Sequence, residues 1–397
     1  MDTLKSFLIL FFIVSLFSCS MMMMDEVPPP ANTNPARLLL IVDQDKITDL
    51  SDKTLEYSND IISTGGAVET LPFPPDGSVE DMKNLIKTYR DSIDGVFLVG
   101  DLPTAWYEQT AFSKYENFPV DIFLMDLDAA WTDSDNNGIY DGHGSLNLTL
   151  FASRIVGTVT EINAYFTKLH NYRSMDYEYL GRAFIFKDDD WFDTYRSSTF
   201  GLERLYENVK INENAELTMK DNYLYQLSYT GADYVYQWIH ATPTSLYISN
   251  DGYYSTVRYS EIKNNNMRGR FLNMFNCKGA RYTQRNLGMT YLTNTETGLA
   301  VTGSTKVGGN YYPLEFHRTL TVGSNWGNAF ISWYNFYGKK DDSWFLGMTI
   351  LGDPALHIKD SDVDRSLSRA SFKAIIPPSE EEINSIAKDL TDFEDTL

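Results

Sequence analysis

The sequence predicts an α/β fold with two side-by-side α/β subdomains and mainly parallel sheets. Short apolar runs of strand length, such as RLLLIV at 37–42 and GVFLV at 95–99, alternate with longer stretches of helical pattern. Runs of this kind stop on Asp43, Gly100-Asp101 or Asn276-Cys277, where a buried strand would give way to a loop. Parallel strands joined by crossover helices produce that alternation. The series also restarts near residue 180, which divides 37–175 from 180–358, and no repeat of solenoid period is present.

In chain order, the first series gives a strand over 37–42 and a helix over 54–63 ended by Gly65-Gly66. A strand over 67–71 leads into the proline turn 72–75, and a helix over 78–92 precedes the strand 95–99. A further strand is expected over 120–125, running into an acidic loop, then a strand over 150–155 and a helix over 160–172. The second series places strands over 181–186, 233–239, 245–249, 271–275 and 298–302, with helices over 284–292 and 326–337. The strand over 181–186 ends on Asp188-Asp189-Asp190-Trp191. The tail, 359–397, is polar and acidic. Ser379 and Glu382 form a capping box for a short helix there. Its stripe Ile383, Ile386, Leu390 and Phe393 is expected to pack on the body.

The first residues are not fold. Phe7 to Phe17 is an apolar run of signal-peptide length behind Lys5. Leu16-Phe17-Ser18-Cys19 resembles the bacterial lipobox, so residues 1–19 read as a signal peptide with lipidation at Cys19 and 20–36 as a tether. A plain secretory signal is the alternative, because Phe17 is bulky for that position. Either way the chain is exported, and with the lipid it is held at the bacterial cell envelope, touching membrane only through that anchor. A formal charge of −21 argues against nucleic acid, since phosphate binding needs a basic surface.

If Cys19 is lipidated or removed, Cys277 is the one remaining thiol. No intramolecular disulfide can form, and an unpaired cysteine in an exported protein marks a candidate reactive thiol. The alternative is an inert buried cysteine. Ligands in open α/β sheets bind beyond the carboxyl ends of strands, so Cys277 is expected at the mouth of a crevice. A cysteine nucleophile needs a base beside it. Among the five histidines, His240 ends a strand in the same half of the sheet, whereas His143, His170, His317 and His357 have no placed partner. Adjacent parallel strands would set His240 and Cys277 over one crevice; a histidine merely closing a core strand is the competing reading.

Asp133, Asp135, Asn137 and Asp141 space oxygen donors around Gly138 as calcium loops do, although no glutamate closes the loop. Asp126 and Asp128 are candidates for the missing charge, and a structural Ca²⁺ is expected there. The glycines of 302–309 lack phosphate-loop spacing, and no zinc spacing is present.

Several motifs in order resemble the gingipain-type cysteine peptidases of the caspase-like clan. They are Val99-Gly-Asp101, Asp121-Ile-Phe-Leu-Met-Asp-Leu-Asp128 with Trp131, Arg154-Ile-Val-Gly157, His240, Asn276-Cys277, Gly298-Leu-Ala-Val-Thr-Gly303 and Leu351-Gly-Asp-Pro354, spread over roughly 37–358. The resemblance implies a caspase-like (gingipain-like) fold and hydrolysis of peptide bonds in proteins or peptides. It assigns His240 as base, Cys277 as nucleophile, and the amides of Cys277 and Ala241 as the oxyanion site. Two positions depart from the family pattern: Ala241 stands where a glycine is usual, and Thr149 precedes the Arg154 strand where an acid is expected to orient the histidine. The competing function is a catalytically weak or inactive surface protein that binds partners through its many tyrosines and tryptophans.

Overall fold

The computed structural model describes residues 32–358 and 377–396. Cys19 with the leader, residues 20–31 of the tether, and the tail over 359–376 lie outside the described residues.

The apolar runs assemble into one ten-stranded sheet. Its strands are β1 (Arg37–Asp43), β2 (Ala67–Phe73), β3 (Gly95–Val99), β4 (Phe151–Ile155), β5 (Arg182–Lys187), β6 (Asn208–Asn212), β7 (Ala232–Trp238), β8 (Gly269–Phe275), β9 (Ala300–Ser304) and β10 (Met348–Gly352). Across the sheet they run β6-β5-β7-β8-β9-β10-β4-β3-β1-β2. Neighbours are parallel except β9 and β10, so β10 is the seam: it runs antiparallel to β9 and parallel to β4. That seam joins the two series. Strands β3, β4 and β7 to β10 are buried along their whole lengths, which explains why they read as continuous apolar runs rather than as alternating ones.

Helix starts follow their caps. Ser78 and Asp81 box the helix Val79–Tyr89, and Thr158 and Glu161 box Val159–Arg173. The first helix, Ile47–Ser63, begins a full two turns before the expected residue 54. The helix expected from 284 starts at Leu287, where the Asn286 side chain accepts from the Met289 amide at 2.8 Å.

Two strand expectations are corrected. Residues 120–125 coil into a short helix, Ile122–Met125, whose four side chains are all buried. A short apolar run carries no periodicity that separates a strand from a buried helical turn. Ser245–Asn250 is a strand, but it leaves the main sheet. It is the middle of a small antiparallel sheet with His240–Thr242 and Tyr253–Arg258.

The C-terminal helix is present as Glu380–Thr396, opened by the Ser379–Glu382 box. Ile386, Leu390 and Phe393 are 1–3% exposed, so the apolar stripe does pack on the body.

Candidate active site

β7 and β8 pair in parallel with Trp238 opposite Phe275. His240 and Cys277 each lie two residues beyond that last pair, and the Ile239 amide still bonds to the Phe275 carbonyl at 3.3 Å. The register therefore carries both side chains off the same edge of the sheet at the same level.

The imidazole is held by carboxylates that follow β5. Its Nε2 lies 2.9 Å from Asp190 Oδ2, and Asp190 also accepts from Ser249 Oγ at 3.2 Å and the Tyr254 hydroxyl at 3.3 Å. Burial works to raise the Asp190 pKa, but these hydrogen bonds, led by His240, win and hold it below the usual carboxylate range. The His240 backbone amide points at Asp188 Oδ2 at 3.4 Å. Asp188 is fully buried, and burial followed by repulsion from Asp190 pushes its carboxyl well above the ordinary range. The His240 ring also packs against Trp191, centroids 4.4 Å apart. With Nε2 committed to Asp190, Nδ1 is the nitrogen left to take up a proton, and it is buried with no hydrogen-bond partner among the described residues.

Cys277 is a free thiol with 0% exposure. Burial pushes it up to about 12; a hydrogen bond from the Gly308 amide opposes this, while the Glu394 carboxylate adds to it. Gly308 is required where it stands. Its φ is +117°, and a Cβ there would meet the Trp344 carbonyl oxygen at 2.8 Å. The glycine stretch at 302–309 thus serves the sulfur with an amide rather than a phosphate.

The expectation of an open mouth at Cys277 is corrected. The C-terminal helix covers the place: Phe393 stacks on the His240 ring at 4.3 Å and 20°, and Glu394 pairs with Lys278, next to Cys277, at 3.0 Å.

The model of peptidase family C25 matches residues 43–359. The chain belongs to that family. Gingipain R, an Arg-specific cysteine proteinase, has a crystal structure that superposes with a TM-score of 0.60 at 14% identity, over 83% of this chain and 80% of that one. At that identity the likeness speaks for the fold, which is the α/β, caspase-like one. No curated protein matches the chain. The family makes this a cysteine peptidase by descent, and proteins or peptides the class of substrate.

Within the C25 framework the remaining positions sort as follows. Ala241 is buried in the short strand His240–Thr242 opposite Leu246, without a positive φ, so the replacement of glycine there carries no backbone strain. Thr149 is an exposed loop residue whose amide bonds the Met125 carbonyl. The carboxylate on the histidine comes from Asp190 instead. Sequence reasoning noticed the Asp188-Asp189-Asp190 run but gave it no role; the signal was a carboxylate run ending a strand that proves adjacent to β7. Asp121 and Arg154, two of the motif residues, form a buried pair at 2.9 Å. The Tyr282 and Thr349 hydroxyls also bond Asp121, at 2.9 and 3.0 Å.

The four other histidines have structural partners, and His357 Nδ1 lies 3.0 Å from the Gly323 carbonyl oxygen. His317 bonds the Tyr234 hydroxyl and the Phe200 carbonyl, and burial lowers its pKa to about 4. His170 faces Asp60, and His143 faces Asp342.

In the acidic loop, Asp135 and Asp141 come together with Glu108, each offering an oxygen within 4.8 Å of the others. Asp133 and Asn137 hold the turn through backbone amides. Asp133 accepts from the Asn137 and Gly138 amides, and the Asn137 oxygen accepts from the Ile139 amide. Nor do Asp126 and Asp128 supply charge to the loop: Asp126 accepts from the Asp128, Ala129 and Asn147 amides, and Asp128 pairs with Arg90. Glu108, from the strand Trp106–Ala111, is the missed donor, too far away in sequence to be read as part of the loop.

Proposed function

We propose that this C25 member is an exported, lipid-anchored cysteine endopeptidase working through a His240–Cys277 dyad. One observation carries the reading: equal offsets beyond one parallel strand pair, with His240 tied through Nε2 to Asp190 and Nδ1 left without a partner. His240 Nδ1 takes the thiol proton, and the thiolate attacks the scissile carbonyl. The amides of Cys277 and Ala241 receive the developing oxyanion. His240 returns the proton to the leaving amine, giving a thioester that water then hydrolyses. Asp190 orients the ring and stabilises the imidazolium in between. The test is hydrolysis of a mixed peptide library by protein in which substitutions in the C-terminal helix have uncovered Cys277. Cys277→Ala and His240→Ala should each reduce cleavage to background, and the double variant should be little worse than either single one. Cleavage surviving Cys277→Ala would refute the dyad.

The alternative, a peptidase-fold surface protein that only binds, is favoured by the complete burial of Cys277 and its neutral thiol. The two readings part at the same experiment, once the site is open.

The anchor rests on the LFSC sequence at 16–19. Intact mass of membrane-extracted protein should carry acyl chains on Cys19, and an unmodified mature chain would refute it. We also propose a structural Ca²⁺ at Glu108, Asp135 and Asp141, whose hard oxygens suit that ion. At a hundredfold excess over Kd it would stabilise the fold by about 2.7 kcal/mol. The melting temperature should rise with calcium and lose that rise in Asp135→Ala; identical midpoints in calcium and chelator would dispose of the site.

A further inference from the structure

We propose that the C-terminal helix, Glu380–Thr396, is an inhibitory plug seated in the substrate cleft over His240 and Cys277, an inference that rests on the peptidase reading above. The seat is made of functional side chains rather than of general core. Phe393 lies flat on the His240 imidazole and also meets Tyr247 and Tyr254, with centroids 5.3 and 5.4 Å away. Tyr254 in turn bonds Asp190, the carboxylate that holds the histidine. One residue on, both Glu394 oxygens reach Lys278, at 3.1 and 3.0 Å. One turn back, Leu390 is 1% exposed, and Thr391 Oγ1 bonds the Phe112 carbonyl at 3.5 Å. Phe393, Glu394 and Leu390 fall on one face because positions three and four apart share a side of a helix.

The consequence for chemistry is direct. A nucleophile with no exposed surface cannot meet a scissile carbonyl, and its thiol stays protonated while buried. A peptide substrate has to take the room that Phe393 and Glu394 occupy. The other face of the helix is polar, with Glu381, Glu382, Lys388 and Asp392 exposed, so release would not strand an apolar segment on all sides. The helix is capped by its own Ser379–Glu382 box, which lets it keep its form as a unit when it lifts.

The test uses the full chain and two readouts. Iodoacetamide reports access to Cys277 whether or not the protein is a peptidase, and a fluorogenic peptide library reports hydrolysis. Leu390→Asp/Phe393→Asp should raise the alkylation rate about 100-fold, and adding a synthetic peptide of residues 379–397 should slow it again, where a scrambled peptide does not. Glu394→Lys, which leaves the apolar seat intact, should raise it by about fivefold and guards against a double variant that fails to fold. Circular dichroism and melting establish that each variant is folded. Faster alkylation with new hydrolysis supports the plug and the peptidase together. Faster alkylation without hydrolysis supports the plug and refutes the peptidase reading. Unchanged alkylation in folded variants overturns the plug, as does wild-type alkylation already as fast as that of a free thiol.

Discussion

The carboxyl edge of the sheet carries two contrasting places, an open cavity and a covered cluster of polar side chains. Beyond β3 and β4 lies a cavity of ≈ 620 Å³, bordered by Asp101, Arg154, Tyr282 and Asn286. Two of its charged groups are held in ion pairs: Arg154 with Asp121, and Asp101 with Lys46. Beyond β7 and β8 stand a thiol, an imidazole whose Nδ1 has no hydrogen-bond partner among the described residues, and a carboxylate behind it. A fold supplies crevices at strand ends, and function depends on which side chains stand there. Over the second place a helix of the same chain packs through Phe393 and Glu394.

That contrast can be broken from either side. The largest effect is expected at the first crevice, on stability. Asp121→Ala leaves Arg154 charged, 1% exposed and without its carboxylate, which should cost about 3–5 kcal/mol of unfolding free energy in a denaturant titration. A loss under about 1 kcal/mol would mean that the pair is not the keystone of that half. Next, at the second crevice and in the Leu390→Asp/Phe393→Asp background, Asp190→Asn should leave the melting temperature nearly unchanged but lower kcat about 100-fold with KM steady, because it acts through the orientation of His240. An equal fall with Ser249→Ala alone would shift the orienting role away from Asp190. The smallest effect belongs to Ala241→Gly. With Ala241 already in ordinary extended backbone, glycine gains nothing in geometry and should cost about 1 kcal/mol of stability, with hydrolysis in the Leu390→Asp/Phe393→Asp background changed by no more than about threefold. A large gain in rate would show that alanine does restrain the oxyanion site.

The same two regions show what the sequence could disclose. Strand ends were legible because fully buried parallel strands are apolar without interruption and stop abruptly, and this put His240 and Cys277 on one edge before any coordinates. The helix caps at Ser78, Thr158 and Ser379 were legible for a local reason, since each box spans only four residues. Contacts distant in sequence were not. Asp190 reaches His240 across 50 residues, Glu108 joins the acidic loop from an earlier strand, and Phe393 crosses more than 150 residues to stack on the imidazole. The stripe Ile386, Leu390, Phe393 said that the helix would be buried, but an amphipathic pattern cannot name the surface that buries it. Residues 122–125 misled for the complementary reason, because burial on every side erases the period that tells helix from strand.

The central claim, that Cys277 is a nucleophile served by His240 on Asp190, is tested most directly by covalent labelling with a peptidyl electrophile in the Leu390→Asp/Phe393→Asp background. The modified residue is then located by mass spectrometry. The account predicts a single adduct on Cys277, formed rapidly near neutral pH, lost in Cys277→Ala and slowed at least about tenfold in His240→Ala, whose thiol lacks a base. Labelling that proceeds at the same rate without His240, or that falls on another residue while peptide is still cleaved, would contradict it.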